Sequence, residues 1–169
     1  VAFMIGYHAM AGTKGGVLEH TMSTRVVMNV FVNSRRVVEI GIDAAIVGFF
    51  DIPVVLVSGC KKAVEEAKEL IGDIEGVVVK EGVSRNFAEC LPPSQTRRMI
   101  TEAAARVLGK RGSIKPLKFN SPVTVEVEFS HANYADSACR STSLERVDSR
   151  TVKSRGTDVL EAFKPFGWL

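Results

Sequence analysis

The chain has 169 residues, of which 46% are hydrophobic and 24% are charged, and its formal net charge is +3. This length suffices for one domain with its own core, and the composition indicates a globular chain rather than a disordered or fibrous one. The 22 basic and 19 acidic residues are scattered along the chain, whereas nucleic-acid-binding proteins usually concentrate positive charge on one face. We therefore expect no nucleic-acid partner.

No segment is long and apolar enough to predict a membrane helix. The longest apolar stretch, 44–60, is interrupted by Asp51 and Pro53 and is shorter than the roughly 18–20 residues that a span requires. The cysteines are odd in number and include no CxxC pair, which argues against a disulfide framework or a structural zinc knuckle. They are Cys60, Cys90 and Cys139. We therefore expect no membrane association and a reducing compartment.

The first residues have the apolar pattern of the later part of a buried strand. They are Val1-Ala2-Phe3-Met4-Ile5-Gly6. They contain no initiator methionine, no basic region and no small-residue cleavage site, so they are not a signal peptide. We therefore expect residues 1–169 to form one α/β domain that lacks an N-terminal segment.

Apolar runs alternate with helical patterns along the chain, which is typical of the α/β class. The predicted strands are 3–6, 25–33, 54–57, 76–80 and 123–129, with a turn at 33–36. The predicted helices are 38–50, 61–70 and 92–108, with short ones near 134–139 and 159–164. Strand 123–129 alternates strictly between apolar and polar residues, which favours an edge or antiparallel position. We predict a mixed sheet with helices on both of its faces.

Two of the three histidines are placed where α/β proteins build their sites. His8 ends the first predicted strand, and His20 follows the glycine-rich loop 11–16, so the two could flank one pocket. The alternative for each is a structural histidine that is hydrogen-bonded to the backbone. His131 follows strand 123–129 and is predicted to be a solvated turn residue.

Glu39 is the most unusual acidic residue, because it opens an otherwise apolar helix. Asp43 lies four residues further on and therefore on the same helix face. A buried carboxylate is costly unless it is paired or bound to a metal, so Glu39 either forms an ion pair with Arg35 or Arg36 or belongs to a metal site with His8. A catalytic zinc site needs three protein ligands, and these residues provide only two.

Several other residues are candidates for function. The loop 12–16 matches neither phosphate-binding glycine motif, so we predict a mobile pocket loop rather than a nucleotide site. Cys60 follows a strand and is predicted to be a buried, inert thiol rather than a nucleophile. Lys80 and Arg85 follow a predicted strand, where they could bind a substrate carboxylate or simply lie in a solvated loop.

The order of several motifs resembles that of the zinc-dependent D-aminopeptidase family. The motifs are Gly6-Tyr7-His8-Ala9, the glycine-rich loop with His20-Thr21-Met22, Val38-Glu39-Ile40-Gly41-Ile42-Asp43-Ala44, Phe49-Phe50-Asp51-Ile52-Pro53-Val54, Val79-Lys80, Ser84-Arg85 and Cys90-Leu91-Pro92. The resemblance extends over most of residues 3–129 and is weak over 130–169.

The resemblance implies a cytoplasmic α/β peptidase that holds two zinc ions per active site and assembles into a ring-like homo-oligomer. Its substrates would be short peptides with an N-terminal D-residue. By the same resemblance, His8 and Glu39 are zinc ligands and His20 is the catalytic residue. The resemblance implies no ligand role for Asp43. The family's Asp-x-Glu motif and a further histidine have no counterpart here, so we expect the remaining zinc ligands to be absent and the chain to be inactive alone.

Two other functions remain open on the sequence. A different metal-dependent amide or ester hydrolase could use the same ligands on other substrates, which a comparison of D- and L-aminoacyl amides would show. A non-catalytic oligomeric scaffold would have no reason to hold stoichiometric zinc.

Overall fold

The computed structural model describes residues 1–109, 112 and 114–168. The strands in these residues are β1 (Ala2–Tyr7), β2 (Val27–Val32), β3 (Arg35–Val37), β4 (Val54–Cys60), β5 (Glu75–Ser84), β6 (Phe87–Cys90), β7 (Val123–Phe129), β8 (Glu145–Arg146) and β9 (Thr151–Gly156). The α-helices are α1 (Glu39–Phe49), α2 (Lys61–Ile71), α3 (Pro93–Leu108), α4 (Ala132–Ala138) and α5 (Val159–Phe163), and a 3-10 helix covers Lys164–Phe166.

The first sheet is mixed and has the strand order β1-β4-β5-β6. β4 pairs in parallel with both β1 and β5, and β6 joins β5 antiparallel. All seven residues of β4 are buried, because helices cover both faces. Helices α1 and α2 share one apolar core with the sheet, and α3 shares another. The predicted α/β class, with a mixed sheet and helices on both faces, is confirmed.

A second sheet, of five antiparallel strands in the order β3-β2-β7-β9-β8, was not predicted. Its inner face carries mostly valines, which pack against α1, α4 and α5. β7 has an alternating burial pattern and pairs with β2 on one side and β9 on the other. The antiparallel position predicted for this strand is therefore confirmed, and the edge position is wrong.

Helix α1 is apolar all round because it lies between the two cores. Ile42 and Ala45 pack into the core of the five-stranded sheet, and Ile40 and Ala44 pack into that of the mixed sheet. A helix buried on both sides has little tolerance for a charge. Glu39 is accommodated because it is the first residue of the helix, at the end that opens towards the loops.

Some element boundaries differ from the sequence-based prediction. Only Asn33 and Ser34 form the turn predicted for 33–36, with φ of 48° and 65°, and a two-residue turn of this kind suits the twist of a hairpin. Arg35 and Arg36 therefore belong to β3. Strand β5 runs on to Ser84, so Lys80 lies within the strand and not after it.

The helix predictions are confirmed at all five positions, including the two short ones near the C-terminus. Cys60 is fully buried, as predicted. Within the described residues, no helix has both the length and the apolar character needed to cross a bilayer.

Candidate metal centre

Three side chains converge at the end of β1. His8 immediately follows this strand, His20 lies in the long loop between β1 and β2, and Glu39 begins α1. Nε2 of His8 and Nε2 of His20 each lie 3.7 Å from Oε1 of Glu39. The two imidazole rings are stacked, with 3.8 Å between their centroids. The structure thus brings together the three residues that the resemblance singled out.

The backbone fixes the tautomer of both histidines. Nδ1 of His8 lies 3.0 Å from the carbonyl oxygen of Ala9, and Nδ1 of His20 lies 2.8 Å from that of Leu18. A carbonyl oxygen can only accept a hydrogen bond, so each Nδ1 carries the proton and donates it. In the neutral imidazole, Nε2 then presents a lone pair. In both histidines Nε2 is the ring nitrogen near Glu39.

Glu39 has few hydrogen-bond donors around it for a carboxylate that is mostly removed from solvent. Its Oε1 accepts a bond of 2.6 Å from the backbone N–H of Met22, and its Oε2 is buried without a partner among the described residues. The two arginines considered as its partners bond elsewhere: Arg35 to the carbonyl of Glu69 and Arg36 to that of Ala11. The predicted alternative of an ion pair with these arginines is therefore wrong.

The side chains of His8, His20 and Glu39 are suitable ligands for a metal ion. One ligand atom from each of His8, His20 and Glu39 lies within 4.8 Å of the others. Imidazole nitrogen and carboxylate oxygen are ligands that zinc prefers. The side chains are 18–29% exposed, so solvent and a substrate can reach the cluster. A histidine that binds a metal typically donates its other ring N–H to a carbonyl or carboxylate, as Nδ1 of His8 and of His20 do here.

Tyr7 and Asp43 join the two elements that carry His8 and Glu39. The Tyr7 hydroxyl donates a hydrogen bond of 2.6 Å to Oδ2 of Asp43, which lies one turn beyond Glu39 on α1. Burial, and then the hydrogen bond to the Asp43 carboxylate, raises the pKa of the Tyr7 hydroxyl above its ordinary value. Asp43 therefore has a partner outside the cluster and ties the end of β1 to α1.

The glycine-rich loop is held against α2 by one glutamate. Glu66 accepts hydrogen bonds from the backbone N–H of Met10 at 2.9 Å and from the hydroxyl of Thr13 at 2.6 Å. The chain then returns to the cluster, where the N–H of His20 donates to the carbonyl of Ala9 at 3.2 Å. These bonds bring His20 back beside His8.

The other candidate residues lie outside the cluster. His131 caps the N-terminus of α4, where its Nδ1 accepts from the N–H of Asn133, in agreement with the predicted turn position. Lys80 lies opposite Cys90 in the β5–β6 pair. Arg85 lies in the turn between β5 and β6, and its Nε is 3.3 Å from Oε1 of Glu19.

Histidine and carboxylate ligands that converge at strand ends of an α/β fold are characteristic of metal-dependent hydrolases. The comparison with known families agrees with this class and narrows it. The family model for D-aminopeptidases matches residues 1–167, and the chain belongs to this family.

Similar proteins are known from Bacillus subtilis. The D-aminopeptidase of strain 168 is 34% identical over 164 residues, which are 96% of this chain and 59% of that protein. The structure of the Zn-dependent D-aminopeptidase DppA, described as a self-compartmentalizing protease, is similar with a TM-score of 0.91 and 33% identity. That match covers 97% of this chain and 60% of the DppA chain. The present chain thus spans about three fifths of the length of these relatives.

Proposed function

We propose that this chain supplies part of the zinc centre of an aminopeptidase that releases N-terminal D-amino acids from short peptides. The observation that carries the proposal is the convergence of His8, His20 and Glu39, whose ligand atoms lie within 4.8 Å of one another, with Nδ1 of each histidine held by a backbone carbonyl. Two imidazole nitrogens and a carboxylate at this separation are a ligand set that suits a divalent cation. Membership of the D-aminopeptidase family and similarity to a Zn-dependent member favour zinc as that cation.

In this proposal His8 and Glu39 are zinc ligands. The backbone carbonyl of Ala9 holds the His8 ring so that Nε2 faces the metal position, and the N–H of Met22 orients the Glu39 carboxylate. Zinc, when bound, lowers the pKa of a coordinated water and polarises the scissile carbonyl. The family resemblance implies two zinc ions, and the second would require ligands beyond the described cluster.

His20 is the proposed catalytic residue. Its Nδ1–H is held by the carbonyl of Leu18, so Nε2 is free to accept a proton from the attacking water and return it to the leaving amine. Because the two Nε2 atoms are equally far from Oε1 of Glu39, His20 could also be a ligand. Zinc content after its replacement distinguishes the two roles.

Substrate preference tests the proposed activity directly. The activity assays use residues 1–169 preceded by an N-terminal segment that supplies the family's remaining zinc ligands. We expect this zinc-loaded protein to hydrolyse D-alanyl amides at least about tenfold faster than L-alanyl amides, and to lose activity when a chelator removes the metal. The variant His131→Ala, which changes a histidine outside the cluster, should retain activity. Equal rates on both enantiomers would favour the other amide or ester hydrolase, and protein that holds no zinc would favour the scaffold.

Substrate binding by Lys80 and Arg85 stays a prediction. A cationic side chain on β5 or in the following turn could pair with the carboxylate of a short peptide. The guanidinium of Arg85, however, already has the Glu19 carboxylate as its partner.

The proposed assembly is a ring-like homo-oligomer, by analogy with the self-compartmentalizing relative.

For the 169-residue chain itself we also expect self-association, because β1 has one sheet neighbour among the described strands and its Phe3 and Ile5 are 39% and 51% exposed. Open apolar strand edges promote association. Light scattering should show a lower mass for Ile5→Lys than for the wild type, with Val147→Lys as the control. If the wild type, Ile5→Lys and Val147→Lys all had the mass of a monomer, the expectation would be contradicted.

We also propose a cytoplasmic location. The support is that Cys60, Cys90 and Cys139 are free thiols, as expected in a reducing compartment. Recovery of the protein with secreted rather than cytoplasmic markers on cell fractionation would contradict it.

A further inference from the structure

We propose that Arg85 is a positioning residue that holds the loop carrying His20 in its working conformation. The inference rests on the proposed role of His20 and concerns a residue that does not touch the cluster itself. Arg85 lies in the two-residue turn between β5 and β6, and it reaches the segment Leu18-Glu19-His20 across a separation of 66 residues.

Arg85 contacts this segment through both its side chain and its backbone. Its Nη2 donates to the carbonyl of Glu19 at 3.2 Å, and its Nε lies 3.3 Å from Oε1 of Glu19. Its own carbonyl oxygen accepts a hydrogen bond of 2.7 Å from the N–H of Leu18. Two consecutive residues before His20 are thus fixed by a single arginine.

The conformation of the segment explains why it needs such support. Leu18 has a φ of 49°, which is unfavourable for a residue with a side chain and persists only where the surroundings enforce it. The same residue provides the carbonyl that accepts the Nδ1–H of His20. The backbone of Leu18 therefore connects Arg85 on one side with the His20 ring on the other.

Glu19 completes the support from the opposite side. While one carboxylate oxygen faces Arg85, the other accepts from the N–H of Gly12 at 3.1 Å. The Glu19 and Arg85 side chains are 21% and 38% exposed. A lysine would carry the charge but would not reproduce the planar, multiple-donor contact of a guanidinium.

Amide hydrogen exchange and steady-state kinetics together test the proposal. The variants are Arg85→Ala, Arg85→Lys and Glu19→Gln. Arg106→Ala is the control, because it removes another arginine–glutamate pair, with Glu75, far from the loop. Peptides covering residues 17–22 should exchange at least about tenfold faster in Arg85→Ala, less so in Arg85→Lys, and at the wild-type rate in the control.

The zinc-loaded Arg85→Ala protein should have a kcat about 10–100-fold lower, as is typical when a residue that positions the groups of a metal site is replaced. Its KM should change by less than about twofold. Unchanged exchange in residues 17–22 would overturn the proposal. So would a raised KM at unaltered kcat, which would instead assign Arg85 to the substrate carboxylate. Because exchange is measured without turnover, failure of the proposed peptidase activity would leave that part of the test intact.

Discussion

Replacing Glu39 with glutamine is expected to abolish zinc binding while leaving the metal-free fold at least as stable as the wild type. The amide keeps an oxygen for the N–H of Met22 and carries no charge, so it is less costly to bury than the carboxylate. The carboxylate oxygen that it replaces, Oε2, is buried and has no partner among the described residues. Relief of an unsatisfied buried group is worth about 1 kcal/mol or more.

Urea unfolding of the metal-free protein and zinc analysis by mass spectrometry measure the two effects of Glu39→Gln. Glu128→Gln is a matched control, because Glu128 is a fully partnered carboxylate that accepts from Asn29 and Arg150. That control should lower stability and keep zinc. If Glu39→Gln retained stoichiometric zinc, or destabilised the metal-free fold as much as Glu128→Gln does, Glu39 would not be the ligand we propose.

His20→Ala is expected to keep zinc but to lower kcat by roughly 10²–10⁴-fold, the usual contribution of a general acid or base. His8→Ala should instead lose zinc and activity together. The contrast is informative because the structure gives the two Nε2 atoms the same distance to Oε1 of Glu39. Zinc content and kcat are measured on the same preparations. Loss of zinc from His20→Ala would make His20 a ligand and leave the proton-transfer role without a residue.

Elements whose burial follows a simple pattern were predictable from the sequence. The long apolar run of α1 predicts a buried helix, and the two cores that it contacts provide the reason. The alternation of β7 likewise predicts a strand with one buried face. In both cases the pattern of apolar residues predicts the element and its buried face, although not that β7 lies between two other strands.

The strands that sequence analysis missed lack such a pattern. β6 is mostly exposed, and β8 has only two residues. In β9, Ser154 is buried at a position where an apolar residue would be expected, because its hydroxyl donates to the carbonyl of Ala162. These strands depend on pairing with distant neighbours, and tertiary pairing of this kind overrides local propensity.

The candidate site was only partly predictable for a similar reason. His8 and His20 flank one loop, so their proximity follows from the order of elements along the chain. That Glu39 meets them depends on how α1 crosses the mixed sheet, which residue spacing does not specify. The contact between Arg85 and Glu19 joins residues 66 positions apart, and nothing in the local sequence of either one indicates it.

The most direct test of the metal centre is an anomalous difference map at the zinc edge from crystals of the zinc-loaded protein. We predict a peak within about 2.0–2.2 Å of Nε2 of His8 and of a carboxylate oxygen of Glu39, with Nε2 of His20 nearby but beyond bonding distance. A map with no peak between these side chains, or with its zinc bound at other residues, would contradict the proposed site.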